Sequence, residues 1–168
     1  IEEGARETMW AIFSLTVSIA EVLSIGEKLE SGEIRVKNVV DNIEDEEGFM
    51  EEDEHKERVL KLIARIRLFS DRNDVIREKL KSKTIKPKQR QLLTAELEKN
   101  TKNIIILCRK IRFSKKQIHR FMARLRSHTD EIERSERVIN QFKKESGLTL
   151  TQLEKSWSKM RKSKQDEK

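Results

Sequence analysis

The sequence contains few of the residues that build turns, aromatic cores and covalent cross-links. Its 168 residues include 5 glycines, 1 proline, 1 cysteine and no tyrosine, and aromatic residues make up only 5%. Sandwiches and barrels need frequent turn residues and strands rich in aromatic side chains, so the composition argues against an all-β or α/β fold. Cys108 has no second cysteine to pair with, which excludes an internal disulfide and fits a reducing compartment. We therefore expect a cytoplasmic protein.

Long uninterrupted apolar runs are also missing. The longest apolar stretch, from Met9 to Ile25, is broken by polar residues such as Ser14 and Glu21, and it lacks the basic leader and the length of a signal or membrane segment. We expect no membrane association. Hydrophobic residues account for 35% of the chain and charged residues for 40%, so the buried fraction should be small and the elements slender. Because the chain begins with Ile1 and not methionine, we expect a piece of a longer protein.

Charged residues are abundant and unevenly distributed. The net charge is +7, but residues 44–57 hold nine acidic residues against one base, a charge of −8 that leaves +15 on the rest of the chain. An acidic run of this density repels itself and buries little surface. It predicts a flexible spacer over 44–57, between a helical segment over 1–43 and a helical module over 58–168. A plain solvated loop is the alternative interpretation of the acidic run.

Apolar residues elsewhere recur at spacings of three and four, which is typical of one face of an α-helix. Residues 1–31 are predicted to be helical with an interruption near Ser14 to Thr16, and Gly32 is placed to form a left-handed cap. A short helix through Val36 to Val40 follows. After the spacer, the next apolar stripe predicts a helix over 54–81.

Further helices are predicted in the second half of the chain. Pro87 can open a helix because its missing N–H is not needed in the first turn. A capping box of Ser114 and Gln117 opens another helix, which Gly147 ends. A last helix is predicted to carry Leu153, Trp157 and Met160 on one face. Long helices joined by short turns bury their stripes in antiparallel pairs, so the predicted fold class is all-α, an elongated helical bundle with long antiparallel helices.

Candidate catalytic or metal-binding residues are scarce. The three histidines do not have the spacing of metal ligands. Cys108 is surrounded by isoleucine and leucine, which favours a buried thiol over a nucleophile. Five scattered glycines cannot form a phosphate-binding loop. We predict no catalytic, metal or cofactor site and no enzymatic activity. Asn73 and Asn100 interrupt two apolar stripes and are predicted to fix the register of the helices.

The strongest candidate site is a group of basic residues with no acidic residue among them, which we call the basic cluster. Its members are Arg109, Lys110, Arg112, Lys115, Lys116, Arg120, Arg124 and Arg126. Such a surface attracts phosphates or the acidic face of a protein, although it can also be a solvated surface with no partner. Phe113 lies within the cluster at an inter-helix turn, where an exposed ring could stack on a base. A second candidate, for a basic partner, is the acidic group Glu51, Glu52, Asp53 and Glu54.

At two places the order of residues is specific, and there the chain resembles the bacterial primary (housekeeping) sigma factors of RNA polymerase. The segments from Ile1 to Gly4 and from Gly26 to Val36 are similar to the end of the family's region 1.2 and to the helix after it. The segment from Glu145 to Leu153 is similar to the one that leads into the family's region 2. Between them, the acidic run and the stretch from Arg112 to Lys116 resemble the family's non-conserved region.

The resemblance implies a non-catalytic part of a sigma factor in bacterial transcription initiation. Such a part contacts the clamp side of the largest subunit of core RNA polymerase, assists open-complex formation and promoter escape, and approaches promoter DNA in the context of the full factor. The family melts promoters with a cluster of aromatic residues, whereas this chain has no tyrosine and only Trp10 and Trp157. We therefore expect a monomeric fragment that does not read a promoter by itself. The alternative is a free-standing, basic helical module that binds nucleic acid.

Overall fold

The computed structural model describes residues 2–41, 52–82, 84–149, 151–152, 154–155 and 157. Over these residues the chain is all-α, as the apolar periodicity predicts. The five α-helices are α1 (Glu2–Phe13), α2 (Thr16–Glu30), α3 (Glu52–Lys81), α4 (Pro87–Ile111) and α5 (Lys115–Ser146). A 3-10 turn at Val36–Asn38 and an isolated β-bridge between Val40 and Phe113 add to these helices. The described residues of the predicted last helix, which are 151–152, 154–155 and 157, are also helical.

The chain divides into two compact units, residues 1–125 and residues 126–168. Residues 2–41 and the described part of 58–125, which the charge pattern assigns to different segments, both lie in the first of these units. Residues 52–57 of the predicted spacer form the opening turns of α3, and His55 within them is fully buried. Residues 44–51 of the predicted spacer lie outside the described residues.

The most extensive helix pairing of the first unit is that of α3 with α4, which follow each other after a short connection and pack side by side. Each helix turns a row of aliphatic residues inward, such as Val59 and Ile66 on α3 and Ile104 and Ile111 on α4. Helix α2 packs against α3 at Gly26, where an added Cβ would lie 2.7 Å from Cγ2 of Ile63. The close approach of these two helices therefore depends on glycine.

Three phenylalanine rings hold the start of α5 against the rest of the first unit. The ring of Phe13, at the end of α1, lies 5.6 Å from that of Phe113 and 5.3 Å from that of Phe121, and the last two rings are 5.2 Å apart. Such offset and edge-to-face pairs are favourable beyond the area they bury. Phe113 is only 7% exposed, so the prediction that it is available to stack on a base is wrong.

Local signals at the helix ends agree closely with the structure. Gly32 and Gly147 adopt the left-handed conformation, with φ of 75° and 65°, where α2 and α5 end. The backbone N–H of Gln117 donates to the hydroxyl oxygen of Ser114 at 3.3 Å, which is one half of the predicted capping box. The backbone N–H of Thr149 donates to Oε1 of Gln152 at 2.8 Å. Leu153 and Met160, two of the three residues on the predicted face of the last helix, lie outside the residues whose side chains are described.

The two asparagines lie on buried helix faces, where the apolar stripes place them, whereas part of the α5 stripe is exposed. Asn73 and Asn100 are buried in α3 and α4, and Oδ1 of Asn73 and Nδ2 of Asn100 make no hydrogen bond within the described part of the chain. Their role in helix register stays a prediction. Ile132, Ile139 and Phe142 continue the apolar stripe of α5 but are 60%, 39% and 59% exposed. The stripe of α5 is therefore buried only in its first turns.

Among the described helices, none is long and apolar enough to cross a bilayer by itself. The segments Glu7–Phe13 and Thr16–Glu30 reach the required length and hydropathy only when they are taken together, and the two are bent by 84° relative to each other.

Candidate partner-binding surface

The turn between α4 and α5 carries five of the eight residues of the basic cluster, all of them exposed. Arg109 and Lys110 lie in the last turn of α4, Arg112 follows the helix, and Lys115 and Lys116 open α5. Two backbone hydrogen bonds fix this turn to the segment after α2. The N–H of Asp41 donates to the carbonyl of Arg112 at 2.9 Å, and the N–H of Ser114 donates to the carbonyl of Val39 at 2.8 Å. The fold thus presents the bases on a well-connected turn.

The two lysines at the start of α5 oppose the helix dipole. The N-terminus of a helix carries a partial positive charge, so each cation there destabilises the helix by about 0.3–1 kcal/mol. The first turn of α5 contains no acidic residue that would compensate. Lys115 and Lys116 also form no ion pair with any described acidic side chain. Their positions are therefore not explained by helix stability.

Arg112 occupies a backbone conformation that usually belongs to glycine. Its φ of 57° and ψ of 56° are left-handed, which costs a residue with a Cβ roughly 1–2 kcal/mol relative to the right-handed form. Strained positions of this kind are concentrated at functional sites. The side chain of Arg112 lines an exposed surface between α3 and α4.

That surface is a groove of about 570 Å³ between α3 and α4, which we call the basic groove. The described residues that line it are Arg58, Leu62, Ile106, Arg109, Lys110 and Arg112. Four of these six side chains are cationic and none is acidic. The exposed lining surface is mainly apolar, because Leu62, Ile106 and the stems of the basic side chains contribute to it.

Arg58 enters the basic groove from α3 and is partly buried. Its Nε is shielded from solvent and makes no hydrogen bond with the residues that the structure describes. A buried donor without a partner costs about 1–3 kcal/mol. Ile106 on α4 is half exposed, so an aliphatic side chain faces water in the same groove. The unpaired Nε and the exposed aliphatic side chain both raise the free energy of the unbound protein. A bound partner would lower it by offering a hydrogen-bond acceptor to Arg58 and an apolar group to Ile106.

The remaining predicted site residues lie elsewhere. Nη1 of Arg124 lies 3.1 Å from Oε2 of Glu21, an ion pair that joins α5 to α2 and gives Arg124 a role in the fold. Nη1 of Arg120 donates to Oε1 of Gln117 at 3.5 Å. Arg126 belongs to the second unit.

The acidic candidates lie at the start of α3. Glu52, Asp53 and Glu54 are exposed in its first turn, where negative charge is favourable. Glu51 lies outside the described residues. A role of this group in binding a basic partner stays a prediction.

Three residues of the basic groove do not belong to the predicted basic cluster, and Arg58 is the cation among them. A signal for it exists, because residues 58–70 of α3 contain four bases and no acid. The groove itself depends on which turn of α3 lies beside which turn of α4, and this register is not visible in the periodicity of either helix.

Reactive side chains are buried or isolated. Burial raises the pKa of the Cys108 thiol to about 12, so it is protonated and unreactive near neutral pH. His55 is buried in α3, His119 is exposed on α5, and Nδ1 of His128 lies 3.9 Å from Oε2 of Glu131. Within the described ranges, no group of three or more His, Cys, Asp or Glu residues could hold a metal ion.

No protein-family model matches the chain, and no solved structure is significantly similar to it.

Proposed function

We propose that the chain is a non-catalytic part of a bacterial primary sigma factor and that it binds core RNA polymerase through the basic surface at the α4–α5 turn. The observation that carries the proposal is the set of exposed bases at this turn. Arg109, Lys110, Lys115 and Lys116 have no ion pair with a described acid, although the chain contains 30 acidic residues. Unpaired charges on a structured turn are suited to meeting an acidic surface of a partner.

The choice of polymerase as the partner is supported by the sequence. The segments from Ile1 to Gly4, from Gly26 to Val36 and from Glu145 to Leu153 resemble parts of primary sigma factors. In this proposal the partner is the clamp side of the largest polymerase subunit, and the chain assists open-complex formation and promoter escape in the cytoplasm. Contact with promoter DNA takes place in the context of the full factor.

A pull-down of the chain with core RNA polymerase tests the proposal. It is carried out with and without promoter DNA, at low and at physiological salt. We expect binding without DNA, and we expect the K115E/K116E variant to lose most of it, because reversing two contact charges costs at least about tenfold in affinity. The control is the K88E/K99E variant, which reverses two exposed charges on α4 outside the turn. Equal loss in both variants, or no binding by the wild type, would contradict the proposal.

A second candidate function is a free-standing module that binds nucleic acid. It is favoured by one observation, the absence of any acidic residue between Lys99 and Asp130. This function predicts binding to duplex DNA alone, with an affinity that falls by orders of magnitude between about 50 and 200 mM salt. Polymerase binding that needs no DNA would decide against it.

A further inference from the structure

We infer that the basic groove is a docking site for an acidic segment of a protein partner, in which carboxylates flank one large apolar side chain. The inference deepens the proposed function and rests on it, because the partner proposed there supplies the segment. It adds the chemistry of the ligand and three contact residues outside the basic cluster, which are Arg58 and Leu62 on α3 and Ile106 near the end of α4.

Charge favours carboxylates as one half of the ligand. Arg58, Arg109, Lys110 and Arg112 converge on the groove from α3, α4 and the turn after α4, with no acid among the described lining residues. Their mutual repulsion is reduced when negative charge enters between them. Arginine binds carboxylates through two parallel hydrogen bonds, and three of these four side chains are arginines.

The apolar lining favours a protein segment over a nucleic acid. Leu62 is partly buried and Ile106 is 50% exposed, so the groove offers an aliphatic surface between its cations. A phosphate backbone would pair with the cations and leave this surface in water. Bases need exposed aromatic rings to stack on, and Phe113, which follows Arg112, is buried. In a segment with a leucine-like or phenylalanine-like side chain between two carboxylates, the apolar side chain would contact the aliphatic surface and the carboxylates would pair with the cations.

The size of the groove and the state of Arg58 agree with this ligand. A volume of about 570 Å³ lies within the range of about 300–1,000 Å³ that is typical of binding pockets. It accommodates a few side chains of a peptide and not a folded domain. Nε of Arg58 makes no hydrogen bond, and its guanidinium forms no ion pair with a described acid, so a carboxylate at the α3 side of the groove would give the guanidinium a partner.

The test uses the full chain and a short fluorescein-labelled peptide in which glutamates flank one leucine. Two further peptides carry glutamine in place of each glutamate, or serine in place of the leucine, and a labelled DNA duplex of similar charge is the nucleic-acid probe. Affinities are measured by fluorescence anisotropy at physiological salt. We expect the first peptide to bind about tenfold more tightly than either altered peptide, and more tightly than the duplex.

Variants of the protein locate the site. Arg58→Gln and Ile106→Gln should each weaken peptide binding by about tenfold, since each removes one half of the recognition. The matched controls are Lys99→Gln for the charge and Leu68→Gln for the apolar side chain, which is 60% exposed on α3 outside the groove. The controls should change the affinity by less than about twofold.

The inference would be overturned if the leucine and serine peptides bound equally well, or if the Ile106→Gln variant kept the affinity of the wild type for the peptide. It would also be overturned if the control variants lost as much peptide affinity as the groove variants, or if the protein bound the duplex more tightly than the peptide. The assay contains no polymerase, so its failure is separate from a failure of the pull-down. A positive peptide result beside a negative pull-down would keep the groove as an acidic-peptide site and reject polymerase as the partner.

Discussion

The N-termini of α3 and α5 carry opposite charges on the same kind of backbone end. The first turn of α3 contains Glu52, Asp53 and Glu54, and the first turn of α5 contains Lys115 and Lys116 with no acid. The helix dipole favours the acids at α3 and disfavours the lysines at α5, by about 0.3–1 kcal/mol per charge. Stability is thus a sufficient reason for the acidic group, whereas the lysines lower stability and need another reason.

The acids at the start of α3 and the lysines at the start of α5 look alike in the sequence. Each is a short run of like charge, and each pattern predicts a binding site. In the structure the acids lie at the positive end of the α3 dipole, while the start of α5 is held by Ser114 and by the ring of Phe121. Because packing and the cap hold α5 in place, its first turn can carry bases whose role is outside the fold.

Phe121→Ala tests whether packing holds the start of α5. Phe121 is 1% exposed between Phe13 and Phe113, so its truncation should lower the free energy of unfolding by about 3–5 kcal/mol. Denaturant unfolding followed by circular dichroism measures the change. The matched control is Phe142→Ala on the same helix, where the ring is 59% exposed and the change should stay within about 0.5 kcal/mol. Similar changes in both variants would mean that the ring cluster does not hold α5.

Gly26→Ala tests how α3 is held. The new Cβ would lie 2.7 Å from Cγ2 of Ile63, a buried and stiff side chain, so α2 and α3 must move apart. We expect a loss of about 1–3 kcal/mol in the free energy of unfolding, measured by thermal or urea unfolding. Gly4→Ala in α1 is the control. No heavy atom lies within 4 Å of its new Cβ, and the change should be neutral or stabilising by up to about 1 kcal/mol. An unaffected Gly26→Ala variant would show that this approach of the helices is not tight in solution.

The helix boundaries could be predicted because they depend on residues close in sequence. Pro87, Ser114 and Gly147 act on backbone groups within one turn, and α4 and α5 begin and end beside them. The burial of a stripe depends on a second element. Ile118 and Ile139 belong to one apolar stripe of α5, yet the first is partly buried and the second is exposed.

The site was only partly predictable for the same physical reason. The basic cluster is contiguous in sequence, and three of its residues, Arg109, Lys110 and Arg112, line the basic groove together. Arg58 lies beside these residues because α3 packs on α4. Phe113 does not share their exposed surface, because its ring packs against that of Phe13. Both outcomes depend on tertiary contacts between residues far apart in the chain, which a pattern within one helix does not contain.

Exchanging the charges at the two helix starts is the sharpest test of the comparison, although its effect on stability is the smallest. The K115E/K116E variant should unfold at higher denaturant concentration than the wild type, by about 0.3–1 kcal/mol per residue, because acids replace bases at the positive end of α5. The E52K/D53K variant should be destabilised by a similar amount at α3. Both shifts should shrink in high salt, which screens exposed charges.

Only the K115E/K116E variant should lose binding to core polymerase. A destabilised K115E/K116E variant would make the lysines structural, and loss of binding in E52K/D53K would make the start of α3 part of the interface, so that the two helix ends would no longer differ in role.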